Sequence, residues 1–204
     1  MLIKLFPENI DMRKMQQIVD CLRNGGIIIY PTDTVYGLGC DIFNKEAVAK
    51  LCRLKNVKIE KMNFSFICNN LSHISDYTLS VDTPTYKLMK RCLPGPFTFI
   101  LKANNSVPKL FKNNKKTVGI RVPDNEIARM IVRELGHPII TTSLHDNEDH
   151  LEYITEPASI HERYEKLVDI VIDGGTGGYH LSTVIDCSGE EPIIIREGIG
   201  KIDD

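Results

Sequence analysis

The stretch Gly25–Asp41, GGIIIYPTDTVYGLGCD, decides how the rest of the chain is read. Its apolar run Ile27–Tyr30 predicts a buried strand. Pro31 ends that run, and Thr32, Asp33, Thr34, Tyr36, Gly37 and Gly39 follow directly. The cluster offers hydroxyls and a carboxylate, and its glycines permit close backbone approach. Two readings fit it. One is a turn closed by an Asx hydrogen bond. The other is one wall of a ligand site, because open α/β sheets bind ligands outside their strand ends.

The same design recurs downstream. PIITTS (138–143) and DIVIDGG (169–175) also run from a buried apolar strand into hydroxyls or glycines. Met15, Ile18, Val19 and Leu22 fall at helical spacing over residues 12–23, with Gly25 or Gly26 as the stop. Asn44 caps a second helix through Ala47, Val48 and Leu51. NFSFIC (63–68) alternates as a strand, and Thr83-Pro84 opens a helix to Cys92 as cap and first turn. FTFILKA (97–103) and TVGIRVP (117–123) read as strands around the basic turn KNNKK (112–116). Residues 125–135 form a helix closed by Gly136, and Pro157 begins another that ends near Val168. STVIDCS (182–188) and PIIIREG (192–198) complete the strands. Helices alternate with strands early, and strands cluster late. The pattern predicts one α/β domain over residues 1–204, built on a twisted mixed sheet with flanking helices.

Bulk properties narrow the function classes. A chain of 204 residues with 42% hydrophobic content builds an ample core. Its longest apolar run is far too short to span a membrane. The N-terminus lacks the apolar stretch and cleavage site of a signal peptide, so a cytoplasmic protein is expected. None of the six cysteines forms a C-x-x-C pair, which speaks against zinc and suits a reducing compartment. The net charge of −2 weighs against gripping a nucleic-acid backbone by charge alone.

Several residues carry chemistry. Ile120 and Val122 share one face of their strand, so Arg121 points to the other. A buried arginine there takes an anionic ligand or a structural ion-pair partner. RLKNVKIEK (53–61) brings Arg53, Lys55, Lys58 and Lys61 together. That run is either a polyphosphate cradle or a solvated helix end whose cations favour the dipole. HDNEDH (145–150) reads as a solvated acidic loop, because two histidines without a third anchored ligand make a weak metal site. DGGTGG (173–178) matches neither a phosphate loop nor a dinucleotide fingerprint. Ser182 and Thr183 beyond it suit anion recognition. No Ser-His-Asp order, nucleophile elbow or catalytic cysteine signature is present. Hydroxyls, cations and glycines suit binding a charged substrate and phosphoryl transfer by positioning and electrostatics.

Taken in order, GGIIIYPTDTVYGLGCD, PGPFTFIL (94–101), TVGIRVPDN (117–125), PIITTS, DGG…STVID and IIIREG (193–198) resemble the YrdC/YciO family. The resemblance covers nearly the whole chain. NFSFICNN and TTSLH look closer to the YciO branch. The resemblance implies a YrdC-like twisted α/β sheet with a deep, concave, cationic cavity. It implies L-threonylcarbamoyladenylate synthesis, in which threonine, bicarbonate and ATP give threonylcarbamoyl-AMP and pyrophosphate. Magnesium accompanies the ATP, and no tightly bound metal is expected. The product feeds threonylcarbamoyl-adenosine modification of tRNA, which makes tRNA and tRNA-modification proteins candidate partners. The family has also been described as binding double-stranded RNA.

By the same resemblance, Lys55 sits at the lysine of a K-x-R element and Arg121 meets the threonine carboxylate, as the catalytic pair. Thr32, Thr34, Tyr36, Thr141 and Ser182 contact the substrate. Lys61, Thr117, Ser143 and Arg196 contact the nucleotide. The chain departs from the family pattern in three places. Val57 replaces the arginine of K-x-R, Ser143-Leu144-His145 replaces an S-A-N triplet, and Asn63 and Phe64 stand near a usual proline and leucine. Three readings therefore stand side by side. They are the synthase, an RNA- or nucleotide-binding protein without that activity, and a related reaction on another acyl or carbamoyl substrate.

Overall fold

Alternation and capping account for most of the elements. In the computed structural model, which describes residues 1–58, 64–108, 116–144 and 154–202, Leu2–Lys4 forms strand β1. Helix α1 (Met12–Arg23) follows, its N-terminus capped by the Asp11 carboxylate, which accepts from the Arg13 and Lys14 N–H groups. Its stripe of Met15, Ile18, Val19 and Leu22 is buried. Each such side chain contributes about 1.5–3 kcal/mol on leaving water. Strands β2 (Ile28–Tyr30) and β3 (Gly37–Asp41) form an antiparallel hairpin, with Tyr30 opposite Gly37. The sequence predicts only a polar cluster at β3. Leu38 and Cys40 enter one core there, and Gly39 lies so close to the next strand that a Cβ would meet the Ile140 carbonyl oxygen at 2.5 Å.

Helix α2 (Lys45–Leu54) is capped by Asn44 as expected, and β4 (Ser65–Ile67) follows. A 3-10 helix at Leu71–Asp76 has no counterpart in the expectations. Helix α3 (Thr83–Cys92) corrects the cap assignment. Asp82 is the N-cap, its carboxylate accepting from the Thr85 N–H at 2.7 Å, while Thr83 and Pro84 lie inside the first turn. Strands β5 (Phe97–Lys102) and β6 (Thr117–Arg121) form as expected. Of the basic turn between them only Lys116 lies within the described residues. Helix α4 (Glu126–Leu135) ends at Gly136, whose φ of 89° is the left-handed conformation glycine tolerates. Strand β7 (Ile139–Ser143) is next. Helix α5 (Pro157–Tyr164) stops short of Val168, and the chain beyond it runs on as a turn in which the Leu167 and Val168 N–H groups donate to the Tyr164 carbonyl. Strands β8 (Ile170–Asp173), β9 (Thr183–Asp186) and β10 (Ile193–Arg196) finish the chain.

Among the described residues these strands form one ten-stranded mixed sheet in the order β1-β8-β2-β3-β7-β4-β6-β5-β9-β10. Helices α1 and α4 pack on one face and α2, α3 and α5 on the other. Strands β2 and β6 run in opposite directions and stand four steps apart. A twist of about 20–25° per step turns them nearly perpendicular. Their C-terminal corners then curl toward one another over the α1/α4 face. No helix among the described residues is long and apolar enough to cross a membrane.

Candidate functional site

The polar clusters meet. Strands β2 and β8 are parallel neighbours, and β7 runs the same way through its antiparallel partner β3. Their C-terminal ends therefore share one edge. Backbone hydrogen bonds lock the clusters there: the Gly178 N–H donates to the Thr34 carbonyl, and the Leu144 N–H donates to the Tyr36 carbonyl. The Tyr36 hydroxyl donates to the Gly175 carbonyl at 2.7 Å and accepts from the Gly174 N–H at 3.3 Å. Burial pushes that phenol up to about 12. Tyr36 thus ties the glycine loop to β3.

Arg121 is the centre of the site. It is 7% exposed and projects from the end of β6 toward the curled corner of β2. Its Nη2 donates to Asp33 Oδ1 at 2.6 Å, Thr34 Oγ1 at 2.7 Å and Thr32 Oγ1 at 3.1 Å. That nitrogen has only two hydrogens, so Asp33 and Thr34, at the shorter distances, take them. The Thr32 hydroxyl donates to the Val35 carbonyl at 2.7 Å and accepts from the Thr34 N–H at 3.0 Å, so it braces the loop. Asp33 also accepts from the Asp124 N–H through Oδ2 at 3.0 Å. The cluster is a tight loop closed by the Thr32 hydroxyl instead of an Asx hydrogen bond, and of the two partners read for a buried Arg121 the structural ion pair, with Asp33, is present. Arg121 Nε is buried with no hydrogen-bond partner among the described residues.

The floor of the site is the sheet face opposite Leu38, Ile140, Phe66 and Ile120. Gly39, Thr141, Ser65, Gly119 and Ile100 lie in one cross-strand row on it. Two hydroxyls flanked by glycines keep this floor low. The Tyr30 hydroxyl donates to Thr141 Oγ1 at 2.6 Å, so Tyr30 lies across the row. Thr117 and Ser143 occupy the same face, from β6 and β7. On the far side, Ser182 is 4% exposed, and its hydroxyl lies 2.9 Å from Thr98 Oγ1. Arg196 reaches over it, donating from Nη2 to the Ser182 carbonyl at 2.9 Å and to Ser182 Oγ at 3.2 Å. Lys55, at the end of α2, donates to the Ser143 carbonyl at 3.4 Å. Burial holds its ammonium below an exposed lysine's pKa.

Of the residues singled out from the sequence, Thr32, Thr34 and Arg121 are in mutual contact. Ser182 contacts Arg196, and Lys55 contacts Ser143. Thr141 lies on the floor between them, held by Tyr30. Lys61, Asn63 and His145, together with the HDNEDH loop, lie outside the described residues. Sequence reasoning missed Tyr30, Ser65 and Thr98. Alternation in FTFILKA does hold a signal for Thr98, since it must face away from the buried Phe97 and Phe99. A separate cavity of about 410 Å³ lies between α3 and the tail, lined by Arg91, Pro94, Phe97 and Lys201, and shares none of these residues.

The ten-stranded twisted sheet is shared with solved structures of one family. Residues 20–198 match the Sua5/YciO/YrdC family, which carries the description "Telomere recombination", and the chain belongs to it. Among its relatives, the E. coli (strain K12) protein YciO is 40% identical over 200 residues, spanning 97% of this chain and 95% of its own. The crystal structure of E. coli YciO superposes with a TM-score of 0.91 over 98% of this chain and 97% of that one. A Coxiella burnetii protein named threonylcarbamoyl-AMP synthase is 31% identical over 173 residues, 85% of this chain and 91% of its own. The crystal structure of P. abyssi Sua5 complexed with L-threonine is 26% identical, with a TM-score of 0.87 over 97% of this chain and 57% of that one.

Proposed function

We propose that the chain is a threonylcarbamoyl-AMP synthase-like nucleotidyltransferase. The observation that carries this reading is the buried Arg121 guanidinium beside the Thr34 hydroxyl, facing a floor of small and hydroxyl side chains. A guanidinium N–H not taken by Asp33 or Thr34 can donate to a carboxylate, and neighbouring hydroxyls read a side-chain hydroxyl. Threonine presents both groups, and the P. abyssi relative was crystallised with L-threonine. In the reaction, the threonine amine attacks bicarbonate, water leaves, and a carbamate forms. A carbamate oxygen then attacks the α-phosphorus of ATP, and pyrophosphate departs. Arg121 and Thr34 hold the amino acid, with Thr141 and Ser182 completing its pocket. Lys55, Thr117, Ser143 and Arg196, with Lys61 by the family resemblance alone, are assigned to the magnesium-bound nucleotide, and Lys55 offsets the charge that builds at phosphorus. The adenylate product suits transfer of its acyl group to tRNA.

A second reading is favoured by one specific feature. Val57, two residues beyond Lys55, is 36% exposed where the family pattern has an arginine. Loss of a fixed cation at a transferring phosphoryl group costs about 2.7–4 kcal/mol of transition-state stabilisation when the lost group is a major one. On this reading the protein binds a nucleotide or double-stranded RNA without synthesis. Pyrophosphate release from ATP, magnesium and bicarbonate, with and without threonine, separates the two. Threonine-dependent release, with the acyl adenylate seen by mass spectrometry, supports the synthase. Folded protein that gives no release overturns it.

A further inference from the structure

We infer that Asp33 is the positioning residue of the site, fixing the Arg121 guanidinium so that the pocket reads the shape of its ligand as well as its charge. The inference deepens the reading of Arg121 as the carboxylate partner and rests on it for the choice of ligand. Three observations carry it. First, Asp33 grips two elements at once. Its Oδ1 accepts from Arg121 Nη2 at 2.6 Å, and its Oδ2 accepts from the Asp124 N–H at 3.0 Å. The carboxylate therefore pins both the side chain and the backbone turn that follows β6. Second, the pair is sealed, with the two side chains 9% and 10% exposed. A short, desolvated, charge-assisted contact holds one geometry far better than a surface pair. Third, the grip is one-sided. The contacts fall on Nη2, while Nη1 makes no hydrogen bond to any described residue and Nε has none either.

The consequence is selective. Asp33 neutralises Arg121, so the pair attracts a loose anion weakly. What remains is a fixed N–H direction beside the Thr34 hydroxyl. A ligand gains there only when its carboxylate and its own hydroxyl fit together. Glycine carries the carboxylate alone, and threonine carries both.

The test uses the full chain and its Asp33→Asn variant, with Arg121→Lys to assign the arginine signal. Side-chain nitrogen NMR should show one slowly rotating guanidinium in the native protein, lost in Asp33→Asn while the backbone spectrum stays dispersed. Calorimetric titration with L-threonine and with glycine then reads selectivity. Asp33→Asn should weaken threonine binding about tenfold, the equivalent of one lost hydrogen bond, while glycine changes by less than about twofold. Asp33→Glu keeps the charge and moves it by one methylene. Its threonine-to-glycine ratio should fall in the same direction, which covers the case of a poorly folded Asp33→Asn. A guanidinium signal that is absent from the native protein, or unchanged in the variant, overturns the inference. So does an equal loss of both ligands, the mark of a purely structural carboxylate. Failure of the native chain to bind threonine sinks the functional reading instead, and the guanidinium signal then decides the role of Asp33.

Discussion

Replacing Arg121 by methionine removes the guanidinium and keeps much of its stem. The Asp33 carboxylate, with its side chain only 10% exposed, then retains just the Asp124 N–H as a partner. Breaking a buried pair by removing one partner costs about 3–5 kcal/mol, because the remaining charge stays desolvated. Asp33→Asn alone strands the arginine between Thr32 and Thr34 and costs a similar amount. The double variant Arg121→Met/Asp33→Asn strands no charge. It should recover about 2 kcal/mol relative to the sum of the single losses. Urea unfolding followed by circular dichroism reads this directly. With a slope near 3 kcal/mol per molar, each single variant should lower the midpoint by about 1–1.7 M at unchanged slope. Single losses below about 1 kcal/mol, or losses that simply add, would refute the coupling. The pair would then be no more than a partly solvated contact.

Three other outcomes follow from the same geometry. Val57→Arg restores a cation two residues from Lys55 and should raise ATP affinity about tenfold in a calorimetric titration, as one added charge-assisted hydrogen bond does; unchanged affinity would put position 57 off the phosphate path. Gly39→Ala drives a Cβ to within 2.5 Å of the Ile140 carbonyl and should cost about 1–3 kcal/mol by overpacking, measured as a lowered urea midpoint. Burial lowers the Lys55 pKa from 10.5, and a polyphosphate beside it raises that pKa again. ATP binding should therefore take up a proton between the lowered value and 10.5, and none well below it. Titrations at a series of pH values up to 10.5, in buffers of different ionisation heat, detect that uptake, and identical heats throughout would remove Lys55 from the phosphate contacts.

Local signals determined the elements. The helical stripe of α1, the Asn44 and Gly136 caps, and the alternation through FTFILKA and TVGIRVP depend on side chains only a few positions apart, which a sequence displays directly. The quoted motifs carry the family resemblance, and the resemblance implied roles for Thr34, Arg121, Thr141 and Ser182. The cap of α3 was misread because Asp82, Thr83 and Pro84 each carry a capping or first-turn signal, and only the hydrogen bond to Thr85 chooses among them. Strand β3 was hidden because its glycines carry no strand propensity and are required by the Tyr30 ring and the Ile140 carbonyl beside them. Tertiary structure alone decided the centre of the site. Asp33 and Arg121 stand 88 residues apart, and no local pattern pairs them. The accumulated twist of the sheet brings the corners of β2 and β6 together, and that closure turns a polar turn and a lone strand arginine into one buried unit.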